Sequence, residues 1–216
     1  MSRGNRQEAV FLDDHDNRMF LDTLAEVCGR AGWKVHAFVL MGNHYHLLIE
    51  TPKPNLVDGM RWLQGTYTKR FNIRHRKWGH LFQGRYKALL VEPEREYFQT
   101  VSNYIHLNPV RVKGYNFEQS RLSGYRWSSY PLYLHPAKRP CWLVAERTLG
   151  NFGWVDDRSG RERYRRYMQK RVVEIAGMEK PWEAEESWSK IRRGWCFGGD
   201  DFRDAMVATL DGVMTG

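Results

Sequence analysis

The sequence predicts an α+β fold, a small antiparallel sheet with helices packed against it, followed by a mainly helical extension. Three observations point there. The β-rich run Trp33-Lys34-Val35-His36-Ala37-Phe38-Val39-Leu40-Met41 meets a second apolar run, His44 to Glu50, across the turn signal Gly42-Asn43, which is the pattern of a β-hairpin. Segments of helical periodicity flank that hairpin on both sides. Beyond Pro136 and Pro140 the alternating pattern gives way to arginine-rich helical stretches, so the chain divides into residues 1–135 and a mainly helical extension, 136–216.

In order, Glu8-Ala9-Val10-Phe11-Leu12 reads as the end of a strand. Asp13, Asp14 and Asp16 are N-cap candidates for a first helix, whose Phe20, Leu21, Leu24, Val27 and Cys28 recur at helical spacing until Gly29 stops it. The hairpin follows, and its second arm is predicted to be central because Leu47, Leu48 and Ile49 run on without polar interruption. Pro52 and Pro54 break that arm. A second helix from Leu56 carries Met60, Leu63, Tyr67 and Phe71 on one side. The basic stretch Arg74-His75-Arg76-Lys77-Trp78-Gly79-His80 is a loop, Tyr86 to Val91 a strand, and Glu94 opens a third helix that Asn108-Pro109 ends, since the residue before proline avoids the α region. Residues 141–150 and 160–177 are predicted helical, and a glycine-rich turn and a last helix fall within 188–210.

The 216 residues, 42% hydrophobic, suffice for one full core plus an appendage. Lys and Arg number 34 against 25 Asp and Glu, a net +9 with 14% aromatic residues. That balance suits a polyanion with stackable bases better than a membrane surface. No segment reaches the ~20 apolar residues of a membrane span, Met1 to Arg6 has no apolar h-region, so secretion is not expected, and the scattered Cys28, Cys141 and Cys196 read as reduced thiols. The expected location is cytoplasmic.

The chemistry centres on His44 and His46. Two residues apart on a strand, they face the same way, while Tyr45 faces the other. Two imidazoles supplemented by an amide oxygen leave positions for water and phosphate oxygens, a set that can hold Mg²⁺ or Mn²⁺ against a phosphodiester. Tyr104 and Asn108, four apart, share a helix face if the last turn persists to Asn108. On periodicity alone Tyr104 reads as a core aromatic. Arg70, Arg74, Arg85 and Lys87 are candidates for binding DNA phosphates, with a solvated basic surface as the alternative.

Four stretches carry a resemblance. Ser2-Arg3-Gly4-Asn5-Arg6-Gln7, His36 to Leu48, Gly79-His80-Leu81-Phe82-Gln83-Gly84-Arg85-Tyr86-Lys87 and Tyr104-Ile105-His106-Leu107-Asn108-Pro109-Val110-Arg111 resemble, in order and spacing, the REP-associated tyrosine transposases, a branch of the HUH single-strand transposases. The similarity covers residues 2 to 131 and includes Trp127-Ser128-Ser129-Tyr130.

The resemblance implies a ferredoxin-like plait over 1–135, His44 and His46 as metal ligands with Asn108 as a third polar ligand, and Tyr104 as a nucleophile that forms a phosphotyrosine. It also implies that Arg3, Asn5 and Arg6 contact a DNA hairpin. The implied substrate is single-stranded DNA folded into a hairpin, cut and rejoined. His106 falls off the Tyr104 face and is not expected as a ligand. Relatives carry about ten further residues ahead of the Ser-Arg-Gly-Asn motif as a central first strand, so the expectation here is a truncated first strand, either because the true start lies upstream of Met1 or because the fold has lost a strand. An inactive or domesticated hairpin-binding protein, and an unrelated His-x-His metallohydrolase, are the competing readings.

Overall fold

A computed structural model describes residues 1–93, 95–112, 115–117, 120–178 and 194–214. Its centre is the hairpin of β2 (Lys34–Met41) and β3 (His44–Glu50), joined by the two-residue turn Gly42-Asn43. On the other edge of β3 lies β1 (Ser2–Arg3), giving an antiparallel sheet of order β1-β3-β2. The register pairs Ser2 with Tyr45 and Arg3 with His44 on one side, and Val39 with His46 and Met41 with His44 on the other. The N-terminal strand is thus Ser2–Arg3 and not the 8–12 run. There Val10 and Phe11 are buried as loop residues, both donating backbone N–H to the Gly42 carbonyl.

Helices cover both faces. α1 (Asp14–Ala31) begins at Asp13, whose carboxylate accepts from the His15 and Asp16 amides, and it runs through Gly29 to end at Gly32, the residue that adopts the left-handed φ of 71°. A glycine is needed at that φ, not merely near the end of the helix. α2 (Leu56–His75) lies beside α1. Together they bury Phe20, Leu24, Met60, Leu63, Tyr67 and Phe71 against Val35, Phe38, Leu40 and Tyr45. α3 (Arg95–Leu107) covers the opposite face, where Ala37, Val39, Met41 and Leu48 meet Phe98, Val101, Tyr104 and Ile105. Strict alternation would put Val35 on the same face as Ala37. A bulge between Val35 and Ala37 shifts the pleat by one residue at His36 and lets Val35 join the first face.

The sheet continues as hydrogen-bonded backbone beyond its strands. Residues 81–87 run antiparallel to residues 1–5, with Asn5 N–H donating to Leu81 O, Gln83 N–H to Arg3 O and Lys87 N–H to Met1 O. The strand expected at 86–91 is therefore reduced to β4 (Leu90–Val91), because the residues before it are taken up by the N-terminal segment. β2 is covered on its outer edge by Trp127-Ser128 and by Trp142 to Val144. Part of the helix expected at 141–150 is consequently extended, and α5 starts only at Glu146 (Glu146–Asn151).

α4 (Ser129–Leu134) and α6 (Arg158–Ala176) follow the extension. Leu143, Leu149, Tyr164, Met168 and Ile175 belong to the same hydrophobic cluster as Phe38 and Tyr45, so the packing runs without a break across residue 135. β5 (Cys196–Phe197) pairs in parallel with β4 and leads into α7 (Asp200–Met214); the part of the 188–210 expectation before Gly194 lies outside the described residues. Among the described residues no helix is long and apolar enough to cross a membrane.

Candidate functional site

β3 places both imidazoles on the α3 side of the sheet. Tyr45, between them, points the other way, fully buried, with its hydroxyl accepting from Gln64. The rings of His44 and His46 lie edge-on with centroids 5.2 Å apart. The turn residue Asn43 orients the first of them. Its amide nitrogen donates to the Gln7 carbonyl, which turns its oxygen to His44 Nδ1 at 2.7 Å. That contact makes Nδ1 the protonated nitrogen and Nε2 the one that carries the lone pair, the outer-shell arrangement that metal-binding histidines use.

α3 brings Tyr104 to the same place. Its ring stands edge-on to His46 with centroids 5.0 Å apart, and it is 5% exposed. The α-helix ends at Leu107 and tightens into a 3-10 turn, Asn108–Arg111, so Asn108 sits one turn beyond Tyr104 and is buried. At the foot of that turn the Arg111 guanidinium lies 5.4 Å from the Tyr104 ring centroid. In the sequence Arg111 stands only as the last residue of the fourth family-like stretch. Its spacing of two helical turns from Tyr104 was the available signal.

Among the described residues no group of three or more His, Cys, Asp or Glu could hold a metal. A cation held by His44 and His46 would draw its other ligands from amide, phosphate or water oxygens. That donor mixture suits Mg²⁺ or Mn²⁺ better than a closed zinc site, which takes four protein ligands. The oriented His44 tautomer is the observation that favours the fit.

A cavity of about 900 Å³ opens beside the site. His46, Tyr104, His36, Glu50 and Arg147 line it, and Trp195, Phe202 and Met206 of the C-terminal segment form part of its wall. Burial pushes the His36 imidazole below its ordinary pKa, although Glu50 bonds it.

The basic candidates divide into two groups. Arg3 lies directly across from His44 in the β1–β3 pairing, so it is exposed on the imidazole side of the sheet. Asn5 and Arg6 are exposed in the following turn, where Arg6 takes a φ of 51°. Gly4 is required there, since a Cβ would run into the Glu8 carbonyl oxygen. Arg85 and Lys87 are exposed on the segment bonded to this turn and strand. Arg70 and Arg74 do not join them. Arg70 is bidentate to Glu26 at 2.7 and 3.1 Å, and Arg74 reaches Asp13 and the fully buried Asp16, both at 2.6 Å. Asp16 needs a countercharge where it is buried, which Arg74 supplies, and both arginines tie α2 to α1.

His106 lies on the far side of α3, as its spacing predicts. It is fully buried between Tyr164 Oη and Ser129 Oγ, each at 2.7 Å, and burial pushes its pKa down to about 3.

Comparison with known proteins gives two findings. A search of curated proteins finds no match. Among solved structures the chain is similar to a REP-associated tyrosine transposase bound to a REP hairpin, at 15% identity over 66% of this chain and 81% of that one, with a TM-score of 0.46. The family model described as "Transposase IS200 like" matches residues 2–108, a span that contains β1, the His44–His46 pair, Tyr104 and Asn108. Over that span the chain is similar to the IS200-like transposase family.

Proposed function

We propose that the chain is a metal-dependent single-stranded DNA transposase that nicks and rejoins hairpin-containing DNA through a 5′-phosphotyrosine on Tyr104. The observation that carries the reading is the row Tyr104, His46, His44 on one face of the sheet, with successive ring centroids 5.0 and 5.2 Å apart. A phosphate there can touch the phenol and an ion held by the imidazoles together.

In this reading the Tyr104 hydroxyl oxygen attacks the phosphorus of a phosphodiester. The bond from phosphorus to the 3′-oxygen breaks, and the 5′-phosphate stays esterified to the phenol. The phenol gives up one proton and the departing 3′-oxygen takes one up from solvent. One phosphodiester is exchanged for another, so a second 3′-hydroxyl can reverse the step without external energy. His44 and His46, with the Asn108 amide oxygen, would hold Mg²⁺ or Mn²⁺, which supplies polarisation of the phosphoryl oxygens when bound. Arg3, on the imidazole side, is assigned to phosphates next to the cleaved bond. Asn5, Arg6, Arg85 and Lys87 are assigned to the hairpin backbone.

The near-complete burial of Tyr104 favours one second reading, a protein that binds hairpins without cutting them. One experiment separates the two. Protein, Mn²⁺ and labelled hairpin oligonucleotides drawn from the host genome are incubated and run on a denaturing gel. A covalent band that disappears in Tyr104→Phe, with hairpin binding retained, supports the transposase; binding with no band under any divalent metal supports the second reading.

A further inference from the structure

The family match ends at residue 108, yet the helix that carries Tyr104 is held from behind by residues well beyond it. Three polar side chains, Gln99, Asn103 and His106, repeat at one-turn and near-one-turn spacing along the face of α3 opposite the sheet. Each bonds the C-terminal extension. Gln99 Nε2 donates to the Asn151 carbonyl, Asn103 Nδ2 donates to Tyr167 Oη at 2.9 Å, and His106 Nδ1 meets Tyr164 Oη at 2.7 Å.

The direction of the last bond follows from its neighbours. Ser129 Oγ accepts from the Phe38 amide at 2.9 Å and donates to the Phe38 carbonyl at 3.2 Å, so His106 Nε2 must donate to it. A neutral imidazole then has an acceptor at Nδ1, and Tyr164 Oη is its donor. Burial keeps His106 neutral, as this arrangement needs.

We propose that Tyr164 and Tyr167 of α6 are positioning residues, which fix the rotation of α3 through His106 and Asn103 and thereby hold Tyr104 against His46. The proposal rests on the reading of Tyr104 as the nucleophile. The apolar contacts between α3 and the sheet are non-directional and tolerate small rotations of the helix. Buried hydrogen bonds with defined partners do not. A phenol oxygen stands roughly 8 Å from the helix axis, so a turn of about 10° sweeps it by more than about 1 Å. A displacement of that order costs a displacement reaction on the order of a hundredfold. The extension thus gains a role in the chemistry through the helix that carries Tyr104.

The test uses the full chain with Tyr164→Phe, Tyr167→Phe and both together. The rate of covalent adduct formation is measured at saturating hairpin and Mn²⁺, alongside hairpin Kd and the folded fraction at the assay temperature. The expected result for the double variant is a rate lowered about ten- to a hundredfold, with Kd within about twofold and the chain folded. A rate that is unchanged, or that falls only in step with the folded fraction or with Kd, overturns the proposal. A second readout does not depend on activity: 3-fluorotyrosine placed at position 104 reports its contact with His46 by its ¹⁹F shift. That resonance should move or broaden in the double variant, and an unmoved resonance overturns the proposal as well. If the wild-type chain forms no adduct, the nucleophile reading fails on its own, and the fluorine shift still decides whether α6 positions α3.

Discussion

Asn43 and His44, neighbours at the start of β3, form a hydrogen bond of 2.7 Å from His44 Nδ1 to Asn43 Oδ1, and that bond chooses which imidazole nitrogen faces the site. The turn that makes the hairpin therefore also orients a candidate ligand.

From this bond comes the first prediction. Asn43→Ala leaves both imidazoles in place but releases the tautomer and orientation of His44. Mn²⁺ should bind about 10–100-fold more weakly, read as a rightward shift of the Mn²⁺ titration of adduct formation with hairpin affinity unchanged. His44→Ala should be more severe than Asn43→Ala in the same titration; equal curves for wild type and Asn43→Ala would refute the orienting role.

The division of the arginines makes a second prediction. Arg3→Ala and Arg6→Ala should each lower the slope of log K against log[salt] for hairpin binding by about 1, with little change in stability. Arg70→Ala and Arg74→Ala should leave that slope unchanged and lower the urea midpoint instead. Arg74→Ala is the more damaging of the two, because Asp16, which it meets, is fully buried. A reduced salt slope in Arg70→Ala would return that residue to the DNA surface.

His106 sets a pH dependence. Its folded pKa, about 3, lies below the ordinary value of 6.5, because burial disfavours the cation. The unfolded chain therefore takes up a proton that the folded chain refuses. Stability is full above about pH 6.5 and falls as pH drops towards 3, by up to about 1.4 kcal/mol per pH unit. His36 is depressed in the same direction, so His106→Gln should remove only part of the slope between pH 6.5 and 4.5 in urea unfolding. The Asp13 carboxyl, held down to about 2 mainly by its hydrogen bond to Arg74, acts in a lower window: its contribution is present above 3.8 and is lost as pH falls towards 2. An unchanged slope in His106→Gln would show that this imidazole titrates normally in the folded protein.

Gly4 tests the N-terminal turn. Gly4→Ala drives a methyl group into the Glu8 carbonyl oxygen and towards Val10, so it should destabilise the chain by about 1–3 kcal/mol. Because the turn carries Asn5 and Arg6 and is bonded to residues 81–87, hairpin affinity should fall as well. Thermal unfolding and hairpin titration of the same preparation check both effects.

Much of the fold was legible in local pattern. The hairpin, α1, α2, α3 and α6 follow from alternation, helical period and turn chemistry, which act over a few residues. The misread parts depend on distant partners. Residues 2–3 and 142–144 run extended because β3 and β2 offer open edges to them, and nothing in their own composition says so. Gly29 and Gly32 look alike in sequence, and only the backbone angle separates the interior glycine from the cap.

The sequence by itself determined that His44 and His46 face one way and Tyr45 the other, since a strand alternates whatever surrounds it. Only tertiary structure decided that Tyr104 lies against His46, that Arg3 stands across from His44, and that Arg70 and Arg74 turn to carboxylates on α1. Those outcomes depend on how separate elements pack and on which buried charges need partners, and both are settled by contacts between residues remote in the chain.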